Sequence, residues 1–154
     1  MEYSLQSRSI EKELLSVEKE LNVAVVCYSP LGRGLLSGTF TTRDQLAFGD
    51  WRLSQPRFGD SLIDINASRA STLKSIAEKK KCTTAQLALS WLLHKDRDSL
   101  FLIPGTKSSA RAIENVNSVN VVLTEDDMKE IEACVPEAEG DRYEGKWGQF
   151  ENRI

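Results

Sequence analysis

Apolar residues recur near a 3.6-residue period between Ser9 and Leu21, at Ile10, Leu14, Val17 and Leu21, and the pattern stops at Asn22. This spacing predicts an amphipathic helix that buries those four positions. The run Val23–Tyr28 is apolar on both parities and rich in β-branched residues, which predicts a strand covered on both faces. Ser29–Pro30, followed by Gly32, Gly34 and Gly38, then marks a glycine-punctuated loop. Between Asp64 and Lys81, Ala70, Leu73, Ile76 and Ala77 return at helical spacing, and Thr83 with Gln86 forms a capping box for the next helix. In that helix Ala85, Leu87, Ala88, Leu89, Trp91, Leu92 and Leu93 leave little polar face. It is expected to pack between a sheet and its neighbours, with Trp91 in the core.

A second short apolar run, Leu100–Ile103, ends at Pro104–Gly105 and reads as another buried strand. The helix after it starts at Ser108 or Ser109, either of which suits an N-cap, and continues through Ala112, Ile113 and Val116. A last helix begins at Thr124, with Asp127 completing the cap, Leu123 and Met128 spaced as a hydrophobic staple, and Met128, Ile131 and Val135 on one face. Strands alternating with helices predict βαβ units and a mostly parallel sheet. Two internal strands are evident and Glu2–Leu5 is a candidate third; three strands do not close a barrel.

Residues 39–61 lack either period. A long irregular segment in a compact domain is usually a lid or binding loop, and Phe40, Phe48, Trp51 and Phe58 offer apolar anchors; the alternative is a disordered insert. Residues 136–154 form a polar tail carrying Tyr143, Trp147 and Phe150.

Composition narrows the function classes. The chain has 154 residues, 40% hydrophobic and 28% charged, with a net charge of −3. That balance gives no general attraction to nucleic acid or anionic lipid, so any basic site must be local. No apolar stretch reaches the roughly 20 residues that span a bilayer, and the start lacks a signal-peptide pattern, so a cytoplasmic location is expected. Cys27, Cys82 and Cys134 contain no CxxC pair, and neither a metal site nor a disulfide framework follows. Cys27, inside an apolar run, is expected to be a buried inert thiol. His94, at a helix end beside Lys95, reads as a capping or solvated residue.

Two loops are candidates for chemistry. Tyr28–Gly38 follows the carboxyl end of a strand, where parallel α/β folds place ligands; its glycines allow close approach of backbone N–H groups to an anion, and Arg33 adds charge. It is neither a GxGxxG turn nor a P-loop. Ile103–Ser108 leads from a strand into a helix N-terminus, where Lys107, Ser108, Ser109 and Arg111 converge with the positive end of the helix dipole. Arg111 lies one turn before Asn115, hence on the same face. This suits a phosphate; the plain alternative is a capped helix with solvated basic residues. Phosphate sites after the last two strands recur in eight-stranded α/β barrels.

The blocks VAVVCYSPLGRGLLSG (Val23–Gly38), DWRLSQPRF (Asp50–Phe58), TTAQLALSWLL (Thr83–Leu93), FLIPGTKSSARAIENV (Phe101–Val116) and LTEDDMKEIEA (Leu123–Ala133) together resemble the C-terminal half of an aldo-keto reductase. Gly140-Asp-Arg-Tyr143 and the YSPLGRG form further resemble the branch with pyridoxal reductases and auxin-induced-type reductases. The resemblance implies the C-terminal portion of an eight-stranded α/β (TIM-type) barrel, about three strands with their helices and not closed by this chain alone. At 154 residues the chain falls well short of the ~250 typical of a whole barrel.

The resemblance also implies an NADP(H)-dependent carbonyl reductase. Tyr28 matches the aromatic that stacks on the nicotinamide, and Ser29, Leu31, Gly32 and Arg33 match the loop along the pyrophosphate. Lys107, Ser108 and Arg111 match the group on the adenosine 2′-phosphate; Glu114 and Asn115 match adenine contacts. Charge-assisted hydrogen bonds from Lys and Arg would favour NADP over NAD. In the family an Asp, Tyr, Lys and His surround the reacting carbonyl, with the Tyr as general acid. Since Glu2-Tyr-Ser-Leu5 resembles the sixth strand, all four fall before Met1; Tyr3, Tyr28 and His94 are not among them. The expectation is therefore a cofactor-binding part without catalytic residues, acting on a small carbonyl substrate only when completed by the missing half. The alternatives are a non-catalytic interaction module, whose open strand edges favour self-association, and a truncated product without independent function.

Overall fold

A computed structural model describes residues 1–143 of the chain. Two short strands stand at its centre. Strand β1 (Val25–Tyr28) pairs in parallel with β2 (Leu100–Ile103), Val25 opposite Leu100 and Tyr28 opposite Ile103. The N-terminal segment touches β1 through a single parallel bridge, Glu2 to Tyr28, where the Tyr28 N–H donates to the Met1 carbonyl at 2.9 Å. The third strand expected over Glu2–Leu5 is thus reduced to one bridge. Ser4 and Ser7 exchange backbone hydrogen bonds of 3.2 and 3.1 Å, and this turn diverts the chain before a ladder forms.

Both strands were expected to be covered on two faces, and the structure corrects this. Val25, Cys27 and Leu100 are buried, but Val26, Phe101 and Ile103 on the opposite face are each more than half exposed. Among the described residues helices pack against one side of the two-stranded sheet only, whereas a closed barrel would bury the other side inside itself.

The helices follow their caps. Helix α1 (Leu14–Leu21) is separated from a 3₁₀ turn at Ser9–Glu11, and Asn22 ends it in the left-handed conformation at φ 51°. That interruption resets the helical phase. Ile10 stays buried and Leu14 packs against the core, but Val17 and Leu21 rotate out to solvent, contrary to the expected face. The periodic segment after Asp64 is likewise two helices, α2 (Leu62–Ser71) and α3 (Leu73–Lys79), meeting at Thr72. Thr83 and Gln86 form both halves of the capping box of α4 (Thr84–Lys95). Helix α5 (Ser109–Val116) takes Ser108 as N-cap, which decides between the two candidate serines. Thr124 and Asp127 cap α6 (Glu125–Cys134) in the same reciprocal way. The Lys80 ammonium, aided by the Thr124 N–H, holds the Asp127 carboxyl down to about 2.

Trp91 is fully buried, as its sequence context implied. Its ring meets Tyr3 edge-on at 5.7 Å, Lys95 lies over it at 4.9 Å, and its Nε1–H donates to Glu132 at 3.1 Å, satisfying the one polar atom it buries. Cys27 is also buried, and burial pushes its thiol up to about 11, so it stays protonated and inert at neutral pH.

A second, smaller cluster joins Leu35, Phe40, Leu46, Phe58, Ile63 and Ala67. It lies under residues 39–61, which fold as 3₁₀ turns at Arg43–Gln45, Trp51–Ser54 and Pro56–Phe58. Phe40 and Phe58 are the anchors expected. Phe48 and Trp51 are not: both are exposed, Phe48 beside the tight turn that the Asp50 N–H closes onto the Ala47 carbonyl. Trp147 and Phe150 of the tail lie outside the described residues. Among the described residues no helix is long and apolar enough to cross a membrane.

Candidate functional site

Because β1 and β2 are adjacent, parallel and in register, the two candidate loops leave the same edge of the sheet side by side, one after Tyr28 and one after Ile103. That edge is where parallel α/β folds bind ligands.

The first loop is coiled tightly by a run of positive φ angles, Ser29 (49°), Gly32 (56°), Arg33 (57°) and Gly34 (100°). A Cβ on Gly34 would meet Arg52 at 3.1 Å and the Phe40 ring at 3.2 Å, so this turn needs glycine. The N–H groups of Gly32 and Gly34 donate within the loop, to Ser29 at 2.9 Å and Leu31 at 3.0 Å. They are therefore already committed. Arg33 is committed as well: it bonds Gln55 at 3.2 Å, and its guanidinium lies 4.9 Å from each of the Trp51 and Tyr143 rings. Its sandwich ties segment 39–61 and the start of the tail to the strand exit. Tyr28 remains partly accessible, and Leu31 packs against the main core.

The second loop contrasts with the first. The Ser108 hydroxyl caps α5 by accepting from the Arg111 N–H at 3.4 Å, and Thr106 accepts from the Ser108 N–H at 3.1 Å. Lys107 and Arg111 are exposed, and neither makes an ion pair with a described residue. Two uncommitted cations thus flank a helix N-terminus whose first N–H groups have no intrahelical acceptor. Asn115 is buried, while Gln86 donates to the Glu114 carbonyl at 3.1 Å and fixes α5 to α4. Arg111 and Asn115, placed on one face by their spacing, lie on either side of the boundary between solvent and α4. The structure brings Tyr28, Ser29, Leu31, Gly32 and Arg33 together as one exit loop, and Lys107, Ser108, Arg111, Glu114 and Asn115 around the neighbouring helix start.

One residue at this edge was not singled out from the sequence. Arg142 is buried with its guanidinium 4.5 Å from the Tyr28 ring centroid; it donates to Ser29 Oγ at 3.0 Å and pairs with the Glu2 carboxylate. It is the first basic residue after Lys129, in an otherwise acidic stretch, and it lies within the Gly140–Tyr143 motif, but nothing in the sequence places it beside Tyr28. A cavity of about 10 Å³ beside it, bordered by Gln6, Gly32 and Arg57, has room for no more than a water.

Tyr3 and His94 are both engaged structurally. Tyr3 is buried and donates to Glu11 at 2.7 Å; burial and that carboxylate push its hydroxyl well above the usual tyrosine range. His94 Nδ1 lies 2.8 Å from the Ser90 carbonyl and Nε2 accepts the Leu123 N–H at 3.3 Å, so the ring braces α4 against the segment before α6. Among the described residues no group of three or more His, Cys, Asp or Glu side chains is placed to hold a metal ion.

Known proteins agree with this architecture. The family model described as "Aldo/keto reductase family" matches residues 1–136. A relative from Schizosaccharomyces pombe, "Aldo-keto reductase yakc [NADP(+)]", is 36% identical over 148 residues, covering 93% of this chain and 43% of the relative. The chain therefore spans less than half the length of that relative. Among solved structures, a glycerol dehydrogenase from Gluconobacter oxydans superposes with a TM-score of 0.70 at 24% identity, over 86% of this chain and 40% of the other. An aldo-keto reductase from Klebsiella pneumoniae, in complex with NADPH, superposes with a TM-score of 0.62 at 21% identity, over 94% and 42%. These likenesses give the fold as part of an α/β barrel. With a family model matching most of its length, the chain belongs to the aldo/keto reductase family.

Proposed function

We propose that this chain carries the NADP(H)-binding part of an oxidoreductase that reduces aldehydes or ketones. The observation that carries the reading is the pair of loops at neighbouring strand ends: an aromatic platform at Tyr28 on one, and two exposed, uncommitted cations at Lys107 and Arg111 on the other. These residues fit an extended dinucleotide phosphate. Lys107, Ser108 and Arg111 would hold the 2′-phosphate at the start of α5, with Glu114 and Asn115 towards the adenine. Tyr28 would receive the nicotinamide, and Ser29, Leu31 and Gly32 would line the pyrophosphate. Arg33, already engaged by Gln55, Trp51 and Tyr143, shapes that loop and draws segment 39–61 over it as a lid.

NADPH, when bound, supplies the hydride. Carbonyl reduction also needs a proton donor and a group that polarises the carbonyl. Neither Tyr3 nor His94 is placed for this, since the hydroxyl of one and both ring nitrogens of the other are engaged away from the sheet edge. The expected result for the purified chain is NADPH binding without NADPH-dependent consumption of a small aldehyde, followed at 340 nm. Robust turnover would sink the proposed division between cofactor binding and catalysis.

The exposed face of Val26, Phe101 and Ile103 favours a second reading, an interaction module whose open sheet joins another chain or a second copy. A monodisperse monomer by light scattering counts against self-association.

A further inference from the structure

The contacts of Arg142 give it a role at the same site. Tyr28 keeps 37% of its surface accessible, whereas Arg142, stacked on its ring, keeps only 4%. A cation lying on the solvent side of that ring would itself be wet. Arg142 therefore backs the ring from the protein side, and the accessible surface of Tyr28 lies away from the guanidinium. The cation is held from several directions: by the Glu2 carboxylate, by Ser29 Oγ at 3.0 Å, and by the Tyr143 ring at 5.2 Å. Ser29 directly follows Tyr28 and sits at φ 49°, so the bond to its hydroxyl also fixes the backbone that turns immediately after the ring. Glu2 in turn is bridged to Tyr28 through the backbone of the N-terminal segment.

We propose that Arg142 is a positioning residue that sets the plane of Tyr28, so that the accessible side of the ring presents a fixed platform to the nicotinamide. This rests on the reading of Tyr28 as that platform. A ring held by a buried cation loses little freedom when a ligand stacks on it, which favours binding. The contacts of Arg142 with Tyr28, Ser29, Glu2 and Tyr143 gather at the first loop, so its influence is expected at the nicotinamide and the adjoining pyrophosphate rather than at the 2′-phosphate.

The test compares two ligands on the full 154-residue chain: NADPH, and adenosine 2′,5′-bisphosphate, which keeps the 2′-phosphate but has no nicotinamide. Arg142→Leu is expected to raise the Kd for NADPH about tenfold and to leave that for the bisphosphate within about twofold. Arg142→Lys keeps a charge beside Glu2 without a planar group and is expected to fall between, at about threefold. Equal weakening of both ligands would make Arg142 a support of the fold in general and overturn the proposal, as would an unchanged NADPH affinity. Tyr28→Ala separates the two levels of inference. If it leaves NADPH binding unaltered, the platform reading fails and Arg142 with it; if it weakens NADPH while Arg142→Leu does not, only the role of Arg142 fails.

Discussion

Replacing Lys107 and Arg111 together by Ala is expected to weaken NADPH binding by about a hundredfold while changing NADH binding by less than about twofold. The two side chains flank the start of α5, are exposed, and have no ion-pair partner among the described residues, so removing them leaves no buried charge and breaks no packing. Each would give a charge-assisted hydrogen bond to the 2′-phosphate, and solvent exposure limits each to about tenfold. Because the pair lies in high-dielectric surroundings, the difference between wild type and variant is expected to shrink as salt is raised past about 0.15 M, where charges more than ~8 Å apart are screened. Titration by NADPH fluorescence at two salt concentrations checks both statements. Unchanged affinity in the double variant would remove the phosphate site from α5.

Trp91→Ala is the substitution expected to cost most stability, about 3–5 kcal/mol. Trp91 is fully buried, stacks edge-on against Tyr3, is covered by the Lys95 ammonium, and donates its only N–H to Glu132. The alanine variant leaves a large cavity between α4 and the N-terminal segment, and takes from Glu132 one of its hydrogen-bond donors. Against a total stability of about 5–15 kcal/mol for an ordinary domain, such a loss brings much of the chain near unfolding. A urea titration with an unchanged m-value and a lowered midpoint is the expected record. A loss below about 1 kcal/mol would show that Trp91 is not central to the core.

What the sequence made legible was mostly local. The capping boxes at Thr83–Gln86 and Thr124–Asp127 depend on atoms three residues apart, and both form as their spacing implied. The strands at Val25–Tyr28 and Leu100–Ile103 were readable for the same reason, from runs of apolar and β-branched residues. Their burial was not, because the cover on a strand's second face is supplied by whatever else packs there. The buried face of α1 departs from the periodic pattern because of a break at Lys12–Glu13 that no proline or glycine announces. Of the site, the two loops were visible, since glycines and a helix start mark them. The contact between Arg142 and Ser29 joins positions 113 residues apart, and periodicity carries no information across that distance.

On this reading the edge beside Tyr28 and α5 binds a dinucleotide through its 2′-phosphate. Its most direct test is parallel titration of the wild-type chain with NADPH and NADH at low salt. The expected result is saturable binding of NADPH at least about tenfold tighter than NADH. Equal affinity for the two, or binding of neither, would contradict it.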